Sequence, residues 1–345
     1  MSRGVKLTLG IVISGVCVWW AMREVRLGEV TAALRQADWR GFIALMLLTL
    51  AGFWLRALRW RWLISTPKPL PLGTLYSATM IGFMANNLFP FRLGEFVRAW
   101  ALGRKANLSK TTVFATVVVE RVVDMITLLG IFGVALLIHP IATTSEAGRL
   151  VSAGAAILVT LCVGLIVVLV VLERTPKLMG GLLDTIGSKL PGRLGRKGVA
   201  AVRHFAEGLT LFRDVPRLLW VFLLSFTMFI TFALCLTVSM WALHLSVPWY
   251  AGLIMLVITA IGIMVPAAPG YIGTLNLACV AGLALFGISK EQAVPFSWFF
   301  WAGQWIPVTL VGMLYLHREG ISLAALTRAA EGGASEPATA ERSAK

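Results

Sequence analysis

Apolar runs alternate with short polar segments along almost the whole chain. Six of these runs are uninterrupted and predict helices that cross a lipid bilayer. They span residues 7–22, 41–64, 113–138, 151–172, 218–243 and 293–316. Because no small-residue cleavage site precedes Arg23, we interpret the first run as an uncleaved membrane helix and not as a signal peptide. The polar segment 23–40 predicts a short helix at the membrane interface.

Two further apolar runs are broken near their middle. Residues 86–94 interrupt the run 73–103, and residues 266–270 interrupt the run 253–286. Each half is too short to cross a hydrocarbon core of about 30 Å. Each broken run therefore predicts a pair of half-helices that enter and leave the membrane on the same side.

The order crossing, broken run, crossing occurs in both halves of the chain, and two short motifs recur. They are Pro90-x-x-x-Gly94 with Pro266-x-x-x-Gly270, at an offset of 176 (266 − 90), and 108–110 with 288–290, at an offset of 180 (288 − 108). We predict an internal duplication within one membrane domain over residues 1–330. Repeat one covers about 41–138 and repeat two about 218–316.

The charges of the polar segments predict the orientation. Residues 173–217 carry nine basic and four acidic side chains and include an amphipathic helical pattern over 199–212, which indicates a cytoplasmic segment on the membrane surface. Residues 244–250 carry no Lys, Arg, Asp or Glu and are expected outside. With both termini in the cytoplasm, the two halves are predicted to be inverted relative to each other. Residues 331–345 predict a disordered tail.

Composition supports a membrane protein. The 345 residues are 58% hydrophobic and 14% charged, with a mean hydropathy of +0.83. The formal charge is +15, and the basic residues lie between apolar runs, which suits binding to anionic lipid headgroups. No nucleic-acid-binding motif is present. The four cysteines are far apart and form no CxxC pair, so neither a zinc site nor a disulfide framework is predicted. We expect no cofactor.

Polar and helix-breaking residues inside the apolar runs form the candidate substrate site, because such side chains at membrane depth face a protein interior or a wet cavity. In repeat one they are Asn86, Asn87, Pro90, Arg92, Gly94, Glu95, Arg98, Glu120, Arg121 and Asp124. In repeat two they are Pro266, Pro269, Gly270, Gly273, Thr274 and Asn276. The second half-helix of each broken run is predicted to start near Leu93 and near Tyr271. Two helix starts that converge there would bind an anion such as a lipid phosphate.

Two structural alternatives stay open at this point. The broken tips could be kinks without a ligand, and Glu120, Arg121 and Asp124 could be an ion-pair cluster that only joins helices. The segment that contains Arg56, Arg59 and Arg61 among three tryptophans is interpreted as a helix end at the membrane interface. The tryptophans are Trp54, Trp60 and Trp62.

Three motifs carry a family resemblance. They are N-x-x-P-x-R-x-G-E-x-x-R from Asn87 to Arg98, E-R-x-x-D from Glu120 to Asp124, and P-x-x-P-G-x-x-G from Pro266 to Gly273. With them the chain resembles the flippase-like membrane region of bacterial lysylphosphatidylglycerol synthases and their stand-alone relatives, over most of residues 5–316. The resemblance implies an inner-membrane protein that moves or binds a lipid. Aminoacylated phosphatidylglycerol is the cargo of the two-domain members, and hopanoids and polyprenyl-phosphate sugars are implied by stand-alone relatives.

The 345 residues contain no soluble C-terminal domain for transfer of an amino acid from tRNA, so we expect no synthase activity. We predict a lipid flippase or transporter of an anionic phospholipid or an isoprenoid lipid. The alternatives are an integral-membrane transferase acting on a polyprenyl phosphate, and an accessory subunit for a lipid-synthesis enzyme. No DxD pair, GxSxG motif or nucleotide loop is present, which favours a non-enzyme.

Overall fold

A computed structural model describes most of the two predicted repeats. The described residues are 12, 15–20, 27–64, 66, 69–89, 92–138, 160, 163–164, 214–265 and 268–335. All regular secondary structure within these ranges is helical. Most of the predicted crossings 7–22 and 151–172 lies outside the described residues, and so do the amphipathic segment 199–212, Pro90 and Pro266.

The helices follow the predicted order. They are α1 (Leu27–Gln36), α2 (Trp39–Leu63), α3 (Leu72–Leu88), α4 (Gly94–Ala106), α5 (Lys110–Ile138), α6 (Val215–Ala242), α7 (Ala251–Met264), α8 (Thr274–Ala284), α9 (Lys290–Arg318) and α10 (Leu323–Ser335). A 3-10 turn, Pro269–Tyr271, precedes α8. Helix α10 extends into the first five residues of the predicted tail, and the remainder of the tail lies outside the described residues.

Among the residues that the structure describes, three helices are long and apolar enough to cross a membrane: Trp39–Leu63, Pro216–Ala242 and Lys290–Arg318. The shortest of them has 25 residues, which corresponds to about 37 Å at 1.5 Å per residue. Helix α5 is equally long, at 29 residues, but carries Glu120, Arg121 and Asp124 near its middle. The chain is therefore a multi-pass membrane protein, and its charged helix requires partners inside the protein.

Each broken run forms an antiparallel pair of short helices. That each pair enters and leaves the membrane on the same side stays a prediction. In the first hairpin, α3 and α4, a Cβ on Gly82 would lie 2.6 Å from Arg98 Cβ and 2.9 Å from Gly94 O. In the second hairpin, α7 and α8, a Cβ on Gly262 would lie 2.5 Å from Ala278 Cβ and 3.1 Å from Thr274 O. Only glycine therefore permits the close approach of the helices within each hairpin.

These contacts repeat at a constant offset of 180 in the residue numbers. The first residues of α4 and α8 differ in number by 180 (274 − 94), and the same difference separates the first and the last residues of α5 and α9 (290 − 110 and 318 − 138). The offset of 176 aligns Gly94 with Gly270, but these two glycines do not occupy equivalent positions in their hairpins. Gly94 is the first residue of α4, whereas Gly270 lies in the 3-10 turn with φ of 72°. The tip of the second hairpin thus contains a turn that the Pro-x-x-x-Gly pattern does not reveal.

Helices α2 and α6 pack antiparallel along their length. The Asp38 N–H donates to Ala242 O at one end (2.9 Å), and Arg217 Nε donates to Trp62 O at the other (2.6 Å). Midway, Gly52 faces the ring of Phe232, and a Cβ on Gly52 would lie 2.8 Å from that ring. The numbers of Gly52 and Phe232 also differ by 180 (232 − 52), so the two halves of the chain meet at equivalent positions.

A cluster of six ionised side chains joins α2, α4 and α5. This ion cluster comprises Arg56, Arg59, Arg98, Glu120, Arg121 and Asp124. Glu120 lies within 2.7–3.2 Å of all four guanidinium groups. Asp124 lies within 2.5–3.4 Å of three of them, on Arg56, Arg59 and Arg121. Because both carboxylates are paired several times over, α5 can carry them at membrane depth.

The ion cluster corrects one sequence prediction. Arg56 and Arg59 do not mark a membrane interface; both are buried and bind Glu120 and Asp124. Trp60 is also fully buried, and its ring lies 3.7 Å from the guanidinium carbon of Arg98. Arg61 and Trp62, on the opposite face of α2, are exposed as expected for an interface. The position of each residue around the helix axis, and not the residue types in the segment, distinguishes the buried residues from the exposed ones.

Replacing Glu120 by glutamine is expected to destabilise the fold. The Glu120→Gln variant leaves four guanidinium groups opposite a single carboxylate, and removal of one member of a buried pair costs about 3–5 kcal/mol. Thermal unfolding of the purified protein in detergent should show a clear fall in Tm. Glu95→Gln is the matched control, because Glu95 Oε1 lies 4.0 Å from Arg121 Nε and its side chain is 26% exposed. Equal Tm values for both variants would contradict the central role of Glu120.

Candidate functional site

A cavity of about 430 Å³ lies between the tips of the two hairpins and the crossing helices. Its lining includes Phe53 of α2, Phe232 of α6 and Trp305 of α9. Each of these residues lies close to the middle of its helix. The cavity is therefore near the half-height of the crossing helices, the depth at which membrane transporters bind their substrates.

The charged part of the cavity lining comes from repeat one. Asn86 and Asn87 at the end of α3, Arg92 in the turn and Glu95 in the first turn of α4 line it. The ion cluster contributes Arg56, Arg121 and Asp124 to the same side. Arg121 is the most exposed of the cluster arginines, with 33% of its side chain accessible, compared with 7% for Arg56.

The rest of the lining is mostly apolar and aromatic, and most of it comes from repeat two. The apolar residues from repeat two are Phe229, Phe232, Leu236, Leu256, Ala260, Ile263, Met264, Leu275, Phe300, Trp301, Trp305 and Val308, and repeat one adds Phe53, Phe83, Met125 and Leu128. The rings of Trp301 and Trp305 are stacked, with centroids 5.5 Å apart. Trp301 Nε1 donates to Gly270 O at 2.8 Å, which fixes this indole against the tip of the second hairpin. Thr259 and Gln304 are the polar exceptions on these helices.

The two hairpin tips touch through residues in the left-handed backbone region. Arg92 (φ 54°) and Tyr271 (φ 59°) are not glycines, and such conformations are costly for other residues. The guanidinium carbon of Arg92 lies 5.7 Å from the centre of the Tyr271 ring, and Arg92 Nη2 donates to Ile263 O at 2.8 Å. Arg92 therefore bridges the first tip to the end of α7, beside the cavity.

The starts of the second half-helices differ from the prediction at one tip. Helix α4 starts at Gly94, as expected, but α8 starts at Thr274, three residues after Tyr271. At each start a side-chain amide occupies a backbone donor: Asn86 Oδ1 accepts from Gly94 N at 2.8 Å, and Asn276 Oδ1 accepts from Gly273 N at 3.0 Å. These caps occupy donors that the helix starts would otherwise present to an anion.

The predicted site residues separate into two groups. Those that line the cavity are Asn86, Asn87, Arg92, Glu95, Arg121, Asp124 and Gly270. Those that do not line it are Gly94, Arg98, Glu120, Pro269, Gly273, Thr274 and Asn276. Glu120 and Arg98 act within the ion cluster, and Asn276 Nδ2 donates to Ser297 Oγ at 2.9 Å. The substrate-binding role of these residues stays a prediction.

Sequence reasoning missed two parts of the cavity. Arg56 was assigned to an interface, although its spacing of three from Arg59 and four from Trp60 places all three on one helix face. The aromatic residues of α9, such as Trp301 and Trp305, also follow a four-residue spacing. Tryptophan in a membrane helix is normally an interface anchor, so composition alone did not single them out.

In the part of the chain that the structure describes, no three His, Cys, Asp or Glu side chains are grouped so as to bind a metal ion. The absence of a cofactor stays a prediction.

Comparison with known proteins connects the chain to lipid-related membrane proteins. The model of the Lysylphosphatidylglycerol synthase TM region matches residues 7–312. Glycosyltransferase AglD of Haloferax volcanii is 28% identical over 137 residues, which are 39% of this chain and 22% of that protein. The match thus spans less than a quarter of the length of this relative. No solved structure matches the chain. Because the family match extends from the first apolar run almost to the end of α9, the chain belongs to the family of the lysylphosphatidylglycerol synthase transmembrane region.

Proposed function

We propose that this protein is a lipid flippase or lipid transporter of a bacterial inner membrane, and that it binds an anionic or isoprenoid lipid in the cavity between its hairpins. The observation that carries the proposal is that the lining of this cavity, at the half-height of the crossing helices, combines ionised side chains from repeat one with an apolar and aromatic lining that comes mostly from repeat two. A lipid has the same division, between its headgroup and its tail. We infer that the protein moves the lipid and does not transform it.

The charged side suits a headgroup. Arg92 and Arg121 face the cavity from different elements, the hairpin turn and α5. Guanidinium groups bind phosphate oxygens through several parallel hydrogen bonds. The aromatic side suits apolar chains, because rings such as those of Phe232 and Trp305 offer large apolar surfaces without charge. A lipid whose headgroup enters the cavity can leave its tail against this side or in the bilayer.

An inverted repeat with six crossings belongs to the same proposal. Adding the offset of 180 to the residue numbers of α2 gives a range that overlaps the range of α6. The two helices are antiparallel. In secondary transporters, inverted halves of this kind open a central site alternately to the two membrane surfaces. The proposed orientation has both termini and residues 173–217 in the cytoplasm and residues 244–250 outside.

The second candidate function is an integral-membrane transferase or an accessory subunit of one. Its support is the similarity to a protein named as a glycosyltransferase. Within the cavity, Asp124 is held by arginines, so Glu95 is the carboxylate best placed to act as a base. Incubation of the purified protein with polyprenyl phosphate and sugar nucleotides would separate the candidates: a new glycolipid would favour the transferase, and its absence together with lipid flipping would favour the transporter.

The proposed orientation predicts the labelling of two engineered cysteines. Lys197→Cys should react with a membrane-impermeant maleimide only in inside-out vesicles, and Ser246→Cys only in intact spheroplasts. Ser246 lies in an exposed loop after α6. The background should carry alanine at the four native cysteines, which are Cys17, Cys162, Cys235 and Cys279. Labelling of both engineered positions from the same side would contradict the inverted repeat.

Arg121→Lys is expected to reduce lipid flipping while leaving a folded protein. Lysine keeps the charge but lacks the planar fork that contacts Glu120 and Asp124 and faces the cavity. In proteoliposomes with fluorescent phosphatidylglycerol and a membrane-impermeant quencher, we expect the initial rate to fall about tenfold or more, the effect of losing one charge-assisted hydrogen bond.

The matched control is Arg61→Lys, on the exposed face of α2. It should flip lipid at the wild-type rate. A fully active Arg121→Lys variant would show that Arg121 serves charge pairing alone, and no flipping by the wild-type protein with any anionic or isoprenoid lipid would overturn the transporter.

A further inference from the structure

The ion cluster carries more positive than negative charge. Its four arginines contribute +4 and its two carboxylates −2, which leaves +2. Two more ionised residues line the cavity, Arg92 and Glu95, and their charges cancel, so the sum over the cluster and the cavity stays at +2 among the described residues. An excess of this size is costly in a low-dielectric interior unless an anion compensates it.

The excess charge reaches the cavity through two guanidinium groups. Arg56 and Arg121 both line the cavity, while Arg59 and Arg98 lie behind them. Buried N–H donors without a hydrogen-bond partner among the described residues occur on all four arginines of the cluster, on Arg59 and Arg98 as well as on Arg56 and Arg121. A buried charged donor without a partner is strongly unfavourable, and the side chain of Arg56 is only 7% exposed.

A third guanidinium group approaches from the hairpin turn. Arg92 lines the same cavity and uses Nη2 for a hydrogen bond to Ile263 O. A guanidinium group has five N–H donors, so this bond leaves further donors for an anion. Cavity donors thus come from three separate elements, namely α2, α5 and the first hairpin turn.

We propose that the headgroup bound in this cavity carries two negative charges, as a phosphomonoester or a diphosphate does. This inference rests on the proposed function and names the substrate class of the same site. A headgroup with two charges compensates the +2 of the cluster and cavity. A phosphodiester such as phosphatidylglycerol carries one charge and leaves +1, and a zwitterionic headgroup leaves +2.

Glu95 is the acid that an incoming phosphate displaces. Its Oε1 lies 4.0 Å from Arg121 Nε, which is too far for a hydrogen bond, whereas Glu120 binds Arg121 Nη2 at 2.9 Å. Glu95 also lines the cavity, so it and the headgroup compete for the same guanidinium group. Neutralising Glu95 should therefore strengthen the binding of a doubly charged headgroup.

The test is lipid binding to the purified full chain, by native mass spectrometry or by competition with a fluorescent lipid. Phosphatidic acid, phosphatidylglycerol and phosphatidylcholine with identical acyl chains are compared at about pH 8, where a phosphomonoester has lost its second proton. We expect phosphatidic acid to bind about tenfold more tightly than phosphatidylglycerol, and phosphatidylglycerol more tightly than phosphatidylcholine. Farnesyl phosphate and farnesyl diphosphate, compared directly, distinguish the monoester from the diphosphate.

Two variants with opposite expected effects keep the test independent of folding. Arg121→Gln removes one positive charge and should abolish the preference for phosphatidic acid over phosphatidylglycerol. Glu95→Gln should increase the affinity for phosphatidic acid several-fold, a gain that misfolding cannot produce. Arg61→Gln, on the exposed face of α2, is the control and should leave all three affinities unchanged.

The outcomes separate this inference from the proposed function. Equal affinity for phosphatidic acid and phosphatidylglycerol, with both above phosphatidylcholine, would overturn the doubly charged headgroup and leave an anionic-lipid transporter. Equal affinity for all three lipids, unchanged in Arg121→Gln and Glu95→Gln, would overturn the anion site as well.

Discussion

The burial of Glu120 and Asp124 is the constraint on which the rest of the structure depends. Helix α5 cannot lie in a membrane with two carboxylates at its centre unless cations reach them from inside the protein. Arginines from α2 and α4 supply these cations, which fixes α2 against α5 and holds the second half of the first hairpin beside both. The position of that hairpin places its tip, with Arg92 and Glu95, at the edge of the cavity. The side chains that hold the helices together are therefore partly the same as those that line the candidate site.

The two halves have similar helix arrangements but carry different residue types at equivalent positions. Close glycine contacts recur at an offset of 180 in both hairpins, so the helix arrangement is repeated. At the same offset, Arg121 and Asp124 correspond to Trp301 and Gln304, and Glu120 corresponds to Phe300. One copy of the long helix thus brings ionised groups to the cavity and the other brings aromatic rings. This difference between equivalent helices contributes to a cavity whose ionised lining comes from one half and whose aromatic lining comes mostly from the other.

The sequence predicted the elements well because the breaks are local. Proline, glycine and paired asparagines interrupt the apolar runs where the hairpins turn, and the described crossing helices coincide with uninterrupted runs. The partners of polar groups were harder to predict, because they depend on contacts across the fold. Arg56 and Arg59 beside tryptophans have the composition of a membrane interface, and only their common helix face distinguishes them. Asn86 and Asn276 suggested ligand donors, yet their amide oxygens cap the adjacent helix starts.

The unequal chemistry of the halves also limits how a lipid can pass through the site. In secondary transporters built from inverted repeats, the two halves rock against each other. If the halves of this chain moved in that way, the guanidinium groups would move together with α2, α4 and α5, since the ion cluster joins these helices. The aromatic side moves with α9, to which Trp301 and Trp305 belong. A headgroup would then stay bound to the guanidinium groups of the first half throughout the motion, while the position of the aromatic residues next to its tail changes. Such a motion has to break the contact between the halves at the hairpin tips, through Arg92 and Ile263 O, and it also has to shift the packing of α2 against α6.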